Sequence, residues 1–157
     1  MSKTNCLTAT MLTVGMRHEA RVSFSREDVA RYCELANDRN AIHHDLAAAR
    51  VRFPDVGDIV VPGGLIQIAI TGLFGTQLPG DGSLGLSFEP ERMRKPVLPG
   101  ETVVITLEVT RLRGPIVEFK VGVTDADGEP ISAATARVLS PDEGYRRWWE
   151  QREGGSA

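Results

Sequence analysis

The sequence predicts an α+β domain, a curved antiparallel sheet of about five strands with one very apolar helix lying across it. Three observations carry that reading. Residues 65–74, Leu-Ile-Gln-Ile-Ala-Ile-Thr-Gly-Leu-Phe, are apolar around nearly their whole circumference, which marks a helix enclosed by other structure. Beyond residue 84 the apolar residues recur every second position, the period of strands. Glycine, proline and aspartate turns punctuate those strands at residues 98–100, 113–115 and 125–128.

The elements follow in order. Residues 1–15 are small and polar without a clear period and read as a loosely held lead-in. Glu19 to Phe24 alternates, with Ala20, Val22 and Phe24 on one side, and reads as a short first strand. Ser25 with an acid at Asp28 has the shape of a capping box and opens a helix. In it, Val29, Tyr32, Cys33 and Ala36 make one apolar stripe. Asn37 and Asp38 end that helix, and Leu46 to Val51 adds a turn or two. The turn Pro62-Gly63-Gly64 opens the apolar helix, and Leu78-Pro79-Gly80-Asp81-Gly82 stops it.

Strand alternation then runs through Leu84, Leu86 and Phe88, through Val103 to Val109, through Val117 to Val123, and through Ile131, Ala133 and Thr135. The charged tail, residues 141–157, carries Trp148-Trp149 and reads as a short helix ending in a disordered Gly-Gly-Ser-Ala. The organisation is a lead-in over 1–15, one domain over 16–140 and the tail.

Composition narrows the function. A chain of 157 residues makes one domain with a core. Hydrophobic content of 41% and charged content of 25% are ordinary for a globular protein, and a net charge of −3 leaves no basic footprint for nucleic acid. Two cysteines make no disulfide framework, and Cys33, on the helix stripe, reads as a reduced, buried thiol. No basic stretch precedes a continuous apolar run, and residues 60–78 are broken by Pro62, Gly63 and Gly64. Signal peptide and membrane span are therefore not expected, and the compartment expected is the cytoplasm.

The most informative segment is Asn37-Asp38-Arg39-Asn40-Ala41-Ile42-His43-His44-Asp45. A carboxylate and an imidazole on one short connector can divide proton transfer between them. The Gly63-Gly64 turn aims free helix N–H groups at whatever lies before it, a setting for developing negative charge. Together they suggest chemistry beside a carbonyl. Blander readings stand beside these. Asp38 is a residue type that favours helix ends, Thr71 can bond back to its own helix, and Gly63-Gly64 can serve the turn alone. His43-His44-Asp45 lacks a third ligand at a recognisable spacing, so no metal is expected. Arg92, Arg94 and Lys95 form a basic cluster suited to coenzyme A phosphates or to an acidic carrier-protein helix, with a solvated strand end as the default. Trp148-Trp149 suits packing on the domain or on a partner chain.

The chain resembles the MaoC-like (R)-specific enoyl-CoA hydratases, which have the hot-dog fold. Their loop signature, Asp-x-Asn-Pro-x-His, stands here as Asp38-Arg39-Asn40-Ala41-Ile42-His43. Their His-Gly helix opening stands as Pro62-Gly63, and their Gly-Leu-x-Gly-x-x-Leu-Pro-Gly helix ending as residues 72–80. The turn Lys95-Pro96-Val97-Leu98-Pro99-Gly100-Glu101-Thr102-Val103 matches a further element. The likeness spans roughly residues 18 to 140, with Ala41 and Pro62 as departures. It implies reversible addition of water to a 2-enoyl thioester of coenzyme A or an acyl carrier protein. It further implies that Asp38 and His43 hold the water, Asn40 fixes their geometry, and Thr71 bonds to Asp38. Gly63, with Gly64, would accept the thioester oxygen. No cofactor is implied, and a homodimer is. The rival readings are a thioesterase on the same fold and a non-catalytic acyl-binding subunit.

Overall fold

The computed structural model describes residues 3–154. In chain order the elements are β1 (Arg17–Val22), α1 (Arg26–Ala36), α2 (Leu46–Arg52), α3 (Gly63–Thr76), β2 (Leu84–Pro90), β3 (Val103–Arg113), β4 (Ile116–Asp125), β5 (Pro130–Leu139) and α4 (Glu143–Gly154). The strands form one antiparallel sheet in the order β1-β3-β4-β5-β2.

The core lies between this sheet and α3. Ile66, Ile70 and Phe74 of α3 join the inward residues of β3 (Val103, Ile105, Leu107, Val109) and of β4 (Val117, Phe119, Val121, Val123) in one buried cluster. The Phe74 and Phe119 rings meet in a tilted pair with centroids 4.9 Å apart. Burying side chains of this size contributes about 1.5–3 kcal/mol each.

Strand phase departs from the alternation in two places. In β5 the residues buried after Ile131 are Ala134, Ala136 and Val138, while Ala133 is half-buried and Thr135 exposed. The pairing with β4 skips Ile131, and that extra residue moves the following side chains to the opposite face. In β2 the pairing with β5 skips Leu86. Leu84 and Leu86 are 61% and 48% exposed, and only Phe88 of the expected apolar face packs on the core. β2 is an edge strand, so one side has no neighbour to cover it.

Residues 3–15 are fastened more firmly than a lead-in of small polar residues suggests. Asn5 N–H donates to the Thr76 carbonyl and Leu7 N–H to the Pro79 carbonyl. Cys6 and Leu12 are buried. Backbone hydrogen bonds to the end of α3 supply what the weak apolar pattern does not. β1 is displaced two residues upstream of the expected strand, and Phe24 lies beyond its end, still buried. In α4, Trp149 packs inward, Trp148 is half-exposed, and the Tyr145 hydroxyl donates to Asp81 at 2.8 Å. Of the expected disordered ending, residues 155–157 lie outside the described residues.

Candidate active site

Asp38, Asn40 and Asp45 of the connector each accept from the amide two residues on. The Ser25 capping box, formed with Asp28, starts α1, and Asn37 ends it in the left-handed conformation, φ 50°. Asparagine is among the few side chains that tolerate this conformation. Asp38 N–H donates to the Cys33 carbonyl, which fixes where the next side chain begins. Asp38 Oδ1 then accepts from Asn40 N–H at 2.9 Å, and Asn40 Oδ1 accepts from Ile42 N–H at 3.4 Å. That second bond starts a single 3₁₀ turn, Ala41–His43. Asp45 caps α2 through Ala47 N–H at 2.8 Å. These bonds hold the connector in shape with alanine at position 41.

The turn delivers His43 inward, where it is 8% exposed. Its Nδ1 lies 2.6 Å from the Val60 carbonyl oxygen. A carbonyl has no hydrogen to give, so Nδ1 carries a proton, and Nε2 is the nitrogen left to gain or lose one. Val60 N–H donates in return to the Ile42 carbonyl at 3.0 Å, so the histidine ring and the residue before it are both tied to Val60. Nε2 faces Asp38 Oδ2 at 3.7 Å, and the Asp38 side chain is 30% exposed. With the ring neutral, these two acceptors have no hydrogen to share, so a donor such as water would be needed to bridge them.

Gly63 opens α3, with Pro62 as its N-cap. Leu65 N–H donates to the Pro62 carbonyl, whereas among the described residues nothing accepts from the Gly63 and Gly64 amides. Gly63 and His43 line one cavity of about 380 Å³ together with Phe53, Met93, Arg94 and Lys95. Gly64 faces the other way, and a methyl group there would overlap the Tyr32 hydroxyl. The helix dipole adds partial positive charge at these two amides.

Comparison with known proteins gives this arrangement a lineage. No family model matches the chain. It is 31% identical over 135 residues to the (R)-specific enoyl-CoA hydratase of Aeromonas caviae, covering 85% of this chain and 88% of the relative. The chain belongs to the MaoC-like hydratase family. An R-hydratase of Pseudomonas aeruginosa in unliganded form superposes with a TM-score of 0.81 at 26% identity, covering 90% of each chain. The A. caviae (R)-hydratase structure superposes at 0.76, covering 83% of this chain and 98% of that one. A MaoC-like dehydratase from Rhodospirillum rubrum, at 23% identity and a TM-score of 0.69, shares the fold.

Within this hydratase scaffold Thr71 does not reach Asp38. Its hydroxyl donates to the Ile68 carbonyl at 2.9 Å, one turn back in α3, because a threonine on an exposed helix face has its own backbone as the nearest acceptor. Cys33 is half-buried and Cys6 is the more enclosed thiol; burial, with Asp38 second, pushes the Cys33 thiol up. Of the basic cluster, Lys95 pairs with Asp125, whose hydrogen bond raises the ammonium pKa. Arg94 lies 3.6 Å from Glu91. Both line the His43 cavity, and Arg92 is not among its lining residues. Sequence reasoning missed Val60 and Met93. Val60 acts through its carbonyl, which no side-chain pattern reveals. Met93 comes from the segment between β2 and β3, which approaches Gly63 only in the folded chain.

Proposed function

We propose that this protein adds water across, or removes it from, the 2,3-bond of an acyl thioester, with Asp38 and His43 as its proton-transfer pair. The observation that carries this reading is the facing of Asp38 Oδ2 and His43 Nε2 at 3.7 Å, with the histidine tautomer set by the Val60 carbonyl. A water donating to both acceptors keeps its lone pairs free for C3. As its oxygen bonds to C3, the pair removes one proton from it. Electron density moves through C2 onto the thioester oxygen, and the pair returns one proton to C2 as the enolate collapses. The net change is one water added, and dehydration is the reverse.

The enolate oxygen needs donors in place before the reaction. The Gly63 and Gly64 amides at the start of α3 supply them, each worth roughly 3–4 kcal/mol of barrier. Asn40 holds the geometry through the Ile42 amide. The substrate is a thioester of coenzyme A or an acyl carrier protein, and the (R)-hydratase likeness supports a 3R-hydroxyacyl product. A homodimer is supported by the open edge of β2 and by the exposed Leu84 and Leu86 on that strand. The two free thiols suit the cytoplasm, and among the described residues no helix is long and apolar enough to cross a membrane.

Incubation with crotonyl-CoA tests the reading. Loss of enoyl absorbance without thiol release is the expected result. Thiol release identifies hydrolysis, and binding without turnover across acyl lengths identifies an acyl-binding subunit; either outcome replaces the hydratase assignment.

A further inference from the structure

Tyr32 stands on α1, half-buried, and packs against the core. With Phe24, Leu35, Leu65, Ile68 and Ala69 it lines a groove of about 550 Å³. The apolar stripe of α1 accounts for the ring and leaves the hydroxyl unexplained. Among the described residues no group accepts from or donates to that hydroxyl. Bordering an open groove, that hydroxyl is available to a molecule that enters it.

The position of the oxygen indicates which partner. A β-carbon at Gly64 would overlap it, so the phenol lies directly against the first turn of α3. That turn carries the two amides that nothing accepts from. Gly63 faces Met93 and the His43 cavity, while Gly64 faces Tyr32, a residue that lines the groove. The first turn of α3 therefore has the His43 cavity beside Gly63 and the Tyr32 phenol beside Gly64. Asp38 is tied to the same helix through the Cys33 carbonyl, the residue after Tyr32.

We infer that Tyr32 is a further catalytic residue, whose hydroxyl donates a hydrogen bond to the thioester oxygen beside the Gly63 and Gly64 amides. This rests on the hydration reading above. The phenol keeps its proton throughout. Its bond shortens and strengthens as the oxygen gains charge, which lowers the barrier without a transfer step.

Tyr32→Phe retains the ring and removes only the donor. With crotonyl-CoA the expected result is a kcat lower by roughly 10–100-fold, a KM within about threefold of native and an unchanged thermal midpoint. A second readout uses bound acetoacetyl-CoA, whose enolate form absorbs in the ultraviolet. Tyr32→Phe is expected to hold a smaller enolate fraction than the native protein. If the native protein hydrates crotonyl-CoA and the variant matches it in rate and enolate fraction, the inference is overturned while the hydratase reading stands. If the native protein hydrates no member of an acyl-CoA series, the reading fails and the inference goes with it.

Discussion

Between α1 and α2 the chain is held by polar side chains bonded to nearby amides, whereas β3 and β4 are held by burial. Asp38, Asn40 and Asp45 each accept from an amide two residues on, and all three are close to solvent. Val103, Ile105, Val117 and Val121 make no such bonds and are fully enclosed. The connector gives up little apolar burial and keeps its acid and imidazole accessible to a reactant. The strands carry the stability that lets it do so. Substitutions in the two regions should therefore separate, with activity lost from one and stability from the other.

The largest separation is expected from Asp38→Asn. The amide oxygen preserves the bond from Asn40 N–H and removes the charge facing His43, so folding is little affected. Losing a general acid–base group lowers kcat/KM by roughly 10²–10⁴-fold. His43→Ala is expected to fall as far. Steady-state rates with crotonyl-CoA at the native level for both variants would remove these residues from the mechanism. In the other region, Phe119→Ala opens a cavity against Phe74 and costs about 3–5 kcal/mol in urea unfolding. Its kcat per folded molecule should stay near native, and a parallel loss of rate would break the contrast.

Asn40→Ala is intermediate, with about 1 kcal/mol of stability lost as the cap goes. Its rate should fall while KM changes little, because the 3₁₀ turn that aims His43 loosens. A rate equal to native would show that Val60 alone orients the ring.

The smallest effect concerns acid. The Arg26 guanidinium beside Asp58, helped by the Ile59 amide, holds that carboxyl below its usual range. A carboxyl lowered by folding adds stability fully above its ordinary pKa of about 4, and loses it as the pH falls through the lowered value. Asp58→Asn should therefore have a lower urea midpoint than native at pH 7, with the gap closing below about pH 4. A gap independent of pH would mean the pair is not ionic in effect.

Legibility in the sequence follows the same division. The faces of β3 and β4 could be read because uninterrupted strands keep strict alternation, and every predicted inward residue from Val103 to Val109 and Val117 to Val123 is buried. β5 changed phase after Ile131 and β2 at Leu86, since an extra residue in a strand leaves no mark in composition. The connector was legible because Asp, Asn and His declare their chemistry by residue type, and its motif spacing pointed to a family. The reach of Thr71 was not, because whether a hydroxyl turns to its own helix or to a neighbour depends on distances that spacing along a helix does not set. Gly64 was readable as part of a turn, but the tyrosine that occupies its vacant side came from a segment thirty-odd positions earlier.

The Val60 carbonyl has a further consequence. The hold on the imidazole is exerted by an atom that every amino acid possesses, so it does not depend on which side chain stands there. Val60 borders the same cavity as Gly63 and Met93. A substitution there reshapes the cavity wall, at a cost in packing with Ala49 and Val56, and leaves the bond that orients the ring. Proline is the exception, for it would forfeit the N–H that ties this residue to Ile42. A protein built this way can alter a lining residue and keep the orientation of its histidine.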